Sequence, residues 1–270
     1  MVLLGSTAAG TGREGVMSGL PLSLRLRRLV KRLPGSGTAY RLARLLFRHR
    51  YNEDGLLTVH NADFMHESGF IAAYGQALRQ GPGTEIRWRS HVLQWAGQHA
   101  AQLDGDFVEC GVNRGFLSRA VMAFVEFQKL SKKRFFLIDT YAGLVPDQVV
   151  PEDYAAYWND YRECYDEVVS AFRDIPNAVV VRGVVPDVLP TLDIARVAYL
   201  SIDMNCAYPE RAALEYFWPK MVPGALAILD DYGFSGHESQ KRAADEFAQS
   251  VGVRVLSLPT GQGAILKPPG

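Results

Sequence analysis

Asp106-Phe-Val-Glu-Cys-Gly-Val-Asn-Arg-Gly115 carries the reading of the fold. Its apolar run reads as a strand, Gly111 and Gly115 as a tight turn, and Leu117–Phe127 as the helix that follows. A glycine turn between strand and helix lets backbone approach a ligand closely and aims the helix N-terminus at it. The turn is not the G-x-G-x-x-G pattern, because Glu109 stands two positions before Gly111. A pyrophosphate would be repelled by that carboxylate, so the loop favours a cationic ligand over a dinucleotide.

Outward from this turn, short apolar runs recur at Phe135–Ile138, Val179–Val181, Val197–Ile202 and Ala225–Leu229. Glu210–Phe217 and Ser239–Ser250 read as helices, the second closed by Gly252. The alternation predicts a doubly wound α/β domain with a parallel sheet, and the unbroken apolar runs predict strands buried on both faces. Val253–Leu258 and Ala264–Lys267, joined by Pro259-Thr-Gly-Gln-Gly263, are too close for a crossover helix and predict a hairpin. The sum is a seven-stranded sheet whose last strand is antiparallel.

Acids close three of these strands. Asp139, followed by Thr140, ends the second and is placed to accept ribose hydroxyls across the first loop. Asp203 ends the fourth, and Asp230-Asp231 the fifth. Carboxyl ends of neighbouring strands face one crevice, and three carboxylates there repel one another unless a cation intervenes. A hard divalent ion with oxygen ligands, magnesium above all, is the expected partner. If no ion is bound, a nearby Lys or Arg should neutralise the group, or one acid should be protonated.

The run from Asp106 to Pro268 resembles the macrocin O-methyltransferase family, whose members include sugar methyltransferases. The resemblance rests on Asp106–Gly115, Asp139-Thr-Tyr-Ala-Gly-Leu144, Val181-Arg-Gly-Val-Val-Pro-Asp-Val-Leu-Pro190, Leu229-Asp-Asp-Tyr-Gly233 and Ala243-Ala-Asp-Glu-Phe247. It implies a class I methyltransferase sheet and S-adenosylmethionine bound at Glu109, Gly111, Gly115 and Asp139; the adjoining Cys110 and Thr140 are further candidates for cofactor contact. It also implies magnesium at Asp203, Asp230 and Asp231. The expected reaction is methylation of a hydroxyl on a sugar or small polyhydroxylated metabolite, in natural product biosynthesis.

The chain departs from the family at Asn205, where the family usually has an aspartate proposed as general base. An amide takes no proton at neutral pH. His237, just past the Asp230-Asp231 turn, has a suitable unperturbed pKa and is the candidate catalytic base. Asn205 itself offers a carbonyl oxygen as a further metal ligand. Two other functions stay open at this point: a catalytically degenerate fold serving as an interaction module, and a nicotinamide-dependent oxidoreductase.

The insert from Tyr141 to Asn177 sets Tyr154, Tyr157, Trp158, Tyr161 and Tyr165 at helical spacing, either as a packed aromatic face or as a wall for the acceptor. Residues 1–20 read as disordered, and no signal peptide is read there. Residues 21–103 read as a basic helical extension or lid, and 104–270 as the methyltransferase domain. Residues 1–50 hold ten Lys/Arg against one acid, and the remainder carries nineteen basic and twenty-eight acidic residues, so the whole is neutral. The basic head suits either a solvated helix face, a dimer arm or weak membrane-surface contact. A small-molecule acceptor, no nucleic acid and a homo-oligomer are expected. Three cysteines without metal-like spacing fit a cytoplasmic setting.

Overall fold

In the computed structural model, residues 50–153 and 161–269 are described. The expected helices at the basic head, and Tyr154, Tyr157 and Trp158, lie outside the described residues. The chain divides into two compact units, Met1–Asn52 with Leu57–Asn61, and Glu53–Leu56 with Ala62–Gly270. The larger unit holds the sheet and the helices described below.

The apolar runs become strands almost where their composition places them. They are β1 (Asp106–Cys110), β2 (Phe135–Asp139), β3 (Ala178–Arg182), β4 (Val197–Ile202), β5 (Met221–Leu229), β6 (Leu256–Ser257) and β7 (Gly263–Leu266). The sheet order is β3-β2-β1-β4-β5-β7-β6. The first five strands are parallel, and β7 runs antiparallel to both β5 and β6. The seven-stranded reading, antiparallel end included, holds. Every residue of β1 and β4 is buried, Glu109 and Ser201 included, as central strands covered on both faces require. The edge strand β6 is only two residues long and exposed, and so short an edge offers little template for another chain.

Between the strands lie α3 (Phe116–Phe124), α4 (Tyr165–Phe172), α5 (Ala207–Phe217) and α6 (Glu238–Ser250). Ahead of the sheet stand α1 (Ser68–Ala77) and α2 (Arg87–Ala100). Successive parallel strands connect through right-handed crossovers. The step β1 to β2 and the step β4 to β5 go in opposite directions along the sheet, so α3 and α5 cover opposite faces. Packing of α1 and α2 on α3 thickens one layer, and α6 on α5 thickens the other. At the base of the sheet Phe107 packs on Phe127 and Tyr199, each at 5.1 Å between ring centroids, inside the continuous core.

The order of the strands reverses between β1 and β4, and that switch point opens a crevice at their carboxyl ends. Gly111 sits in it with φ +86°, where a Cβ would stand 1.9 Å from the carbonyl oxygen of Asp203. Gly252, after α6, has φ +74° but nothing within 4 Å of a Cβ. The two separate backbone strain from close approach. Gly252→Ala should cost about 1 kcal/mol, the left-handed penalty alone. Gly111→Ala should cost at least about 3 kcal/mol, because the end of β4 has to move. Urea unfolding of both variants measures the difference; equal losses would show that the close approach constrains nothing.

Candidate active site

The register of the sheet builds the site. Cys110 pairs with Ile138 on one side and Ile202 on the other, and Ile202 pairs with Leu229. The residues that follow, Asp139, Gly111, Asp203 and Asp230, therefore form one row across the carboxyl edge. Backbone bonds continue the row: Gly111 N–H donates to Ile138 O, Asp203 N–H to Cys110 O and Asp230 N–H to Ile202 O, each at 2.9 Å.

Above the row lies a cleft of about 110 Å³, open at its mouth. Gly111 and Asn113 come from the first loop, Asp139, Thr140 and Tyr141 from the end of β2, and Gly183 and Val185 from beyond β3. Asp203, Asn205 and Cys206 follow β4, and Tyr161, Arg162 and Cys164 come from the insert. Asn113, Tyr141 and Asn205 all hold positive φ, at 48°, 54° and 57°, so left-handed backbone concentrates at this wall.

Asp139 is what holds that wall. Its Oδ2 accepts the N–H groups of Val112 and Asn113 at 2.6 and 2.7 Å, and its Oδ1 accepts that of Tyr141 at 2.7 Å. Tyr141 is pinned at its other end, where its hydroxyl donates to Leu137 O at 2.8 Å. Thr140 Oγ1 donates to Gly143 O at 2.6 Å and closes the same turn. Of the six residues expected to contact the cofactor, Gly111, Asp139 and Thr140 line the cleft; Glu109, Cys110 and Gly115 do not. Glu109 and Cys110 belong to the buried middle layer of the sheet, and Glu109 instead receives the hydroxyl of Ser118 on α3. Gly115 caps α3, where any Cβ would strike the ring of Phe172 at 2.4 Å.

Asp203, Asp230 and Asp231 come together: an oxygen from each lies within 4.8 Å of the others. Gln262 Nε2 donates to Asp230 Oδ1 at 2.8 Å, and Gln240 Nε2 donates to Asp231 Oδ2 at 3.3 Å. Burial, then the charges of Asp230 and Asp231, holds the Asp203 carboxyl well above the usual range. Burial and Asp230 push Asp231 up to about 7. The neutralising cation expected from charge balance is Arg89 on α2, whose Nη1 bonds Asp230 Oδ2. Burial alone would lower the Arg89 pKa; Asp230 and Asp54 outweigh it and keep the guanidinium charged. The sequence allows either a protonated acid or a nearby Lys or Arg and does not point to Arg89, which lies 141 positions from Asp230.

His237 departs from its expected place. It is buried at the start of α6, outside the lining of the cleft. Its Nδ1 lies 3.1 Å from Gln240 Oε1 and 3.6 Å from Asp231, and burial lowers its pKa. Helix α6 docks against α5 and sets the ring beside Gln240 and Asp231. Asn205 turns its amide nitrogen to the Tyr161 hydroxyl at 3.0 Å and to Asp203 Oδ1 at 3.4 Å, so the group facing Asp203 is a donor and not the expected carbonyl. Tyr161 stands outside any helix, and α4 begins at Tyr165, so these two do not share one helical face.

A seven-stranded sheet of this order with a cleft at the switch point has the architecture of the class I methyltransferases. Residues 92–255 match the model of the macrocin-O-methyltransferase (TylF) family, and the chain belongs to that family. Among solved structures, it resembles the O-methyltransferase NovP with a TM-score of 0.61 at 18% identity, covering 74% of this chain and 96% of that one. The calicheamicin methyltransferase CalS11 is more distant, with a TM-score of 0.49 at 17% identity over 77% of this chain and 94% of that one. So is TomG, from Streptomyces achromogenes, in complex with SAM, with a TM-score of 0.48 at 14% identity over 76% and 91%. No curated protein sequence matches.

The buried acid Glu109 generates a pH prediction. Burial, with Asp230 and Asp139 adding to it against the Ser118 hydrogen bond, pushes Glu109 up to about 8. The folded state thus holds a proton that the unfolded chain releases near the ordinary glutamate value. The stability tied to this group is present in full below that value and is lost as pH rises towards 8. In the cofactor-free protein Glu109→Gln should flatten this fall and gain at least about 1 kcal/mol over the parent at pH 8.5. Urea unfolding at pH 5.5 and 8.5 measures it; parallel curves for the two proteins would contradict it.

Proposed function

We propose that this protein transfers a methyl group from S-adenosylmethionine to a hydroxyl of a sugar or other small polyhydroxylated metabolite, with magnesium held by Asp203, Asp230 and Asp231. The observation that carries the reading is that Asp203 belongs to two structures at once. It lines the cleft and it is a corner of the carboxylate cluster. A cofactor in the cleft and a cation on the cluster would therefore be neighbours, as transfer to a metal-held hydroxyl needs.

The donor set suits the ion. Three carboxylate oxygens, partly buried and mutually repelling, form a hard site that a divalent cation relieves. When bound, the cation supplies Lewis acidity to an acceptor hydroxyl, and S-adenosylmethionine supplies the methyl group. The chain's own residues do the rest. Asp139 fixes the loop and the β2 turn that would hold the nucleoside, and Gly111 leaves room for it. Tyr161 and Asn205 face the acceptor side of the cleft and hold each other by one hydrogen bond. With an amide at 205, Asp203 is the carboxylate of the cluster that lines the cleft and would stand nearest an acceptor held there.

Family membership sets the nicotinamide reading aside. No helix among the described residues is long and apolar enough to cross a membrane; a cytoplasmic setting is part of the proposal.

Calorimetric titration tests the cofactor half: S-adenosylhomocysteine should bind and NAD should not. Asp139→Ala should weaken S-adenosylhomocysteine by about 1–3 kcal/mol, since it frees the loop amides as well as removing a charge. Glu109→Gln, behind the wall, should change that affinity by less than about threefold. Asp203→Ala should keep the cofactor product bound but abolish methyl transfer to a panel of nucleotide sugars, as should removal of divalent ions by chelation. Undiminished transfer under chelation would overturn the magnesium assignment, and NAD binding in place of S-adenosylhomocysteine would overturn the cofactor.

A further inference from the structure

Arg89 is the cationic neighbour of the carboxylate cluster that the proposed reaction does not use. Its guanidinium reaches two acids in different directions. Nε lies 2.7 Å from Asp54 Oδ2, and Nη2 donates to Asp54 Oδ1 at 3.3 Å. Nη1 bonds Asp230 Oδ2. The ring of Phe234 lies beside it, 5.2 Å from Cζ to the centroid. The planar fork of an arginine is fixed by two contacts to one carboxylate, which a lysine cannot reproduce. The guanidinium is thus shared, with Nε and Nη2 facing Asp54 and Nη1 facing Asp230 of the cluster.

Asp230 is correspondingly occupied. Gln262 takes Oδ1 and Arg89 takes Oδ2. A divalent ion that joins Asp203, Asp230 and Asp231 meets a unit positive charge already bonded to one of its ligands. Like charges at that separation oppose each other strongly in a site screened from water. The arrangement of Asp54 makes the exchange inexpensive, because Arg89 can release Asp230 and keep its carboxylate partner.

We infer that Arg89 is an internal counter-ion that competes with the divalent cation for Asp230, and that Asp54 is the partner that lets it yield. The inference rests on the proposed reading of the cluster as a cation site. It assigns Arg89 and Asp54 the role of setting cation affinity. Removal of Arg89 leaves the three aspartates without their resident charge and makes them a better site. Loss of the Asp54 charge commits the guanidinium to Asp230 and makes them a worse one. Because Asp54 acts through Arg89, its effect vanishes once Arg89 is gone.

The test is calorimetric titration of the full-length protein with Mn²⁺, repeated by the loss of the free-ion electron paramagnetic resonance signal. The proteins are the wild type, Arg89→Met, Asp54→Asn, the double variant and Asp203→Ala. Arg89→Met should tighten Mn²⁺ by about tenfold or more, and Asp54→Asn should weaken it by about threefold or more. The double variant should match Arg89→Met, a non-additive cycle. If Arg89→Met fails to fold, the weakening in Asp54→Asn carries the test. Wild-type binding that is lost in Asp203→Ala but unchanged or weakened in Arg89→Met, or unchanged or tightened in Asp54→Asn, overturns the competition and leaves the cation site standing. Failure of every protein to bind Mn²⁺, while each still binds S-adenosylhomocysteine, overturns the cation reading itself and this inference with it.

Discussion

The parallel register of four strands is the constraint on which the rest depends. Ile138, Cys110, Ile202 and Leu229 stand in one row, so the residues one step further, Asp139, Gly111, Asp203 and Asp230, emerge side by side at the carboxyl edge. Three acids and a glycine in a row define a place with negative charge and room for a ligand. A slip of one residue in any strand would carry its acid to the other face of the sheet. The buried apolar strands that fix the register therefore also fix the chemistry, and the core and the site are one construction.

Negative charge concentrated at a sheet edge has to be answered, and the structure answers it in three different ways. Backbone N–H groups of the loop and turn satisfy Asp139. Burial drives Glu109 and Glu210 each up to about 8, which keeps a proton on them at neutral pH. A guanidinium meets Asp230. The last of these is the contact that the proposed cation would replace.

Much of this was legible in the sequence, and the reason is local. Short apolar runs mark all seven strands within a few residues, most clearly in the parallel strands β2, β4 and β5, whose residues are mostly buried. The acids Asp139, Asp203 and Asp230 were legible because each closes such a run. What the sequence concealed is orientation and distance. Glu109 stands in a binding-loop motif yet faces Ser118 behind the wall. His237 follows Asp230-Asp231 by a few residues, but at the start of α6 it is buried outside the lining of the cleft. Arg89 and Asp54 reach the site from a helix and a turn ahead of the sheet, and no pattern in one sequence ties them to Asp230.

The account turns on whether the cluster takes a divalent ion beside the cofactor cleft. Anomalous diffraction from a crystal grown with S-adenosylhomocysteine and soaked in Mn²⁺ addresses that most directly. The account predicts one anomalous peak among Asp203, Asp230 and Asp231, with protein oxygens about 2.0–2.6 Å away, Arg89 released from Asp230 but still on Asp54, and the product's sulfur on the cleft side of Asp203. No peak at these aspartates, with Arg89 still bonded to Asp230 at saturating Mn²⁺, would contradict it.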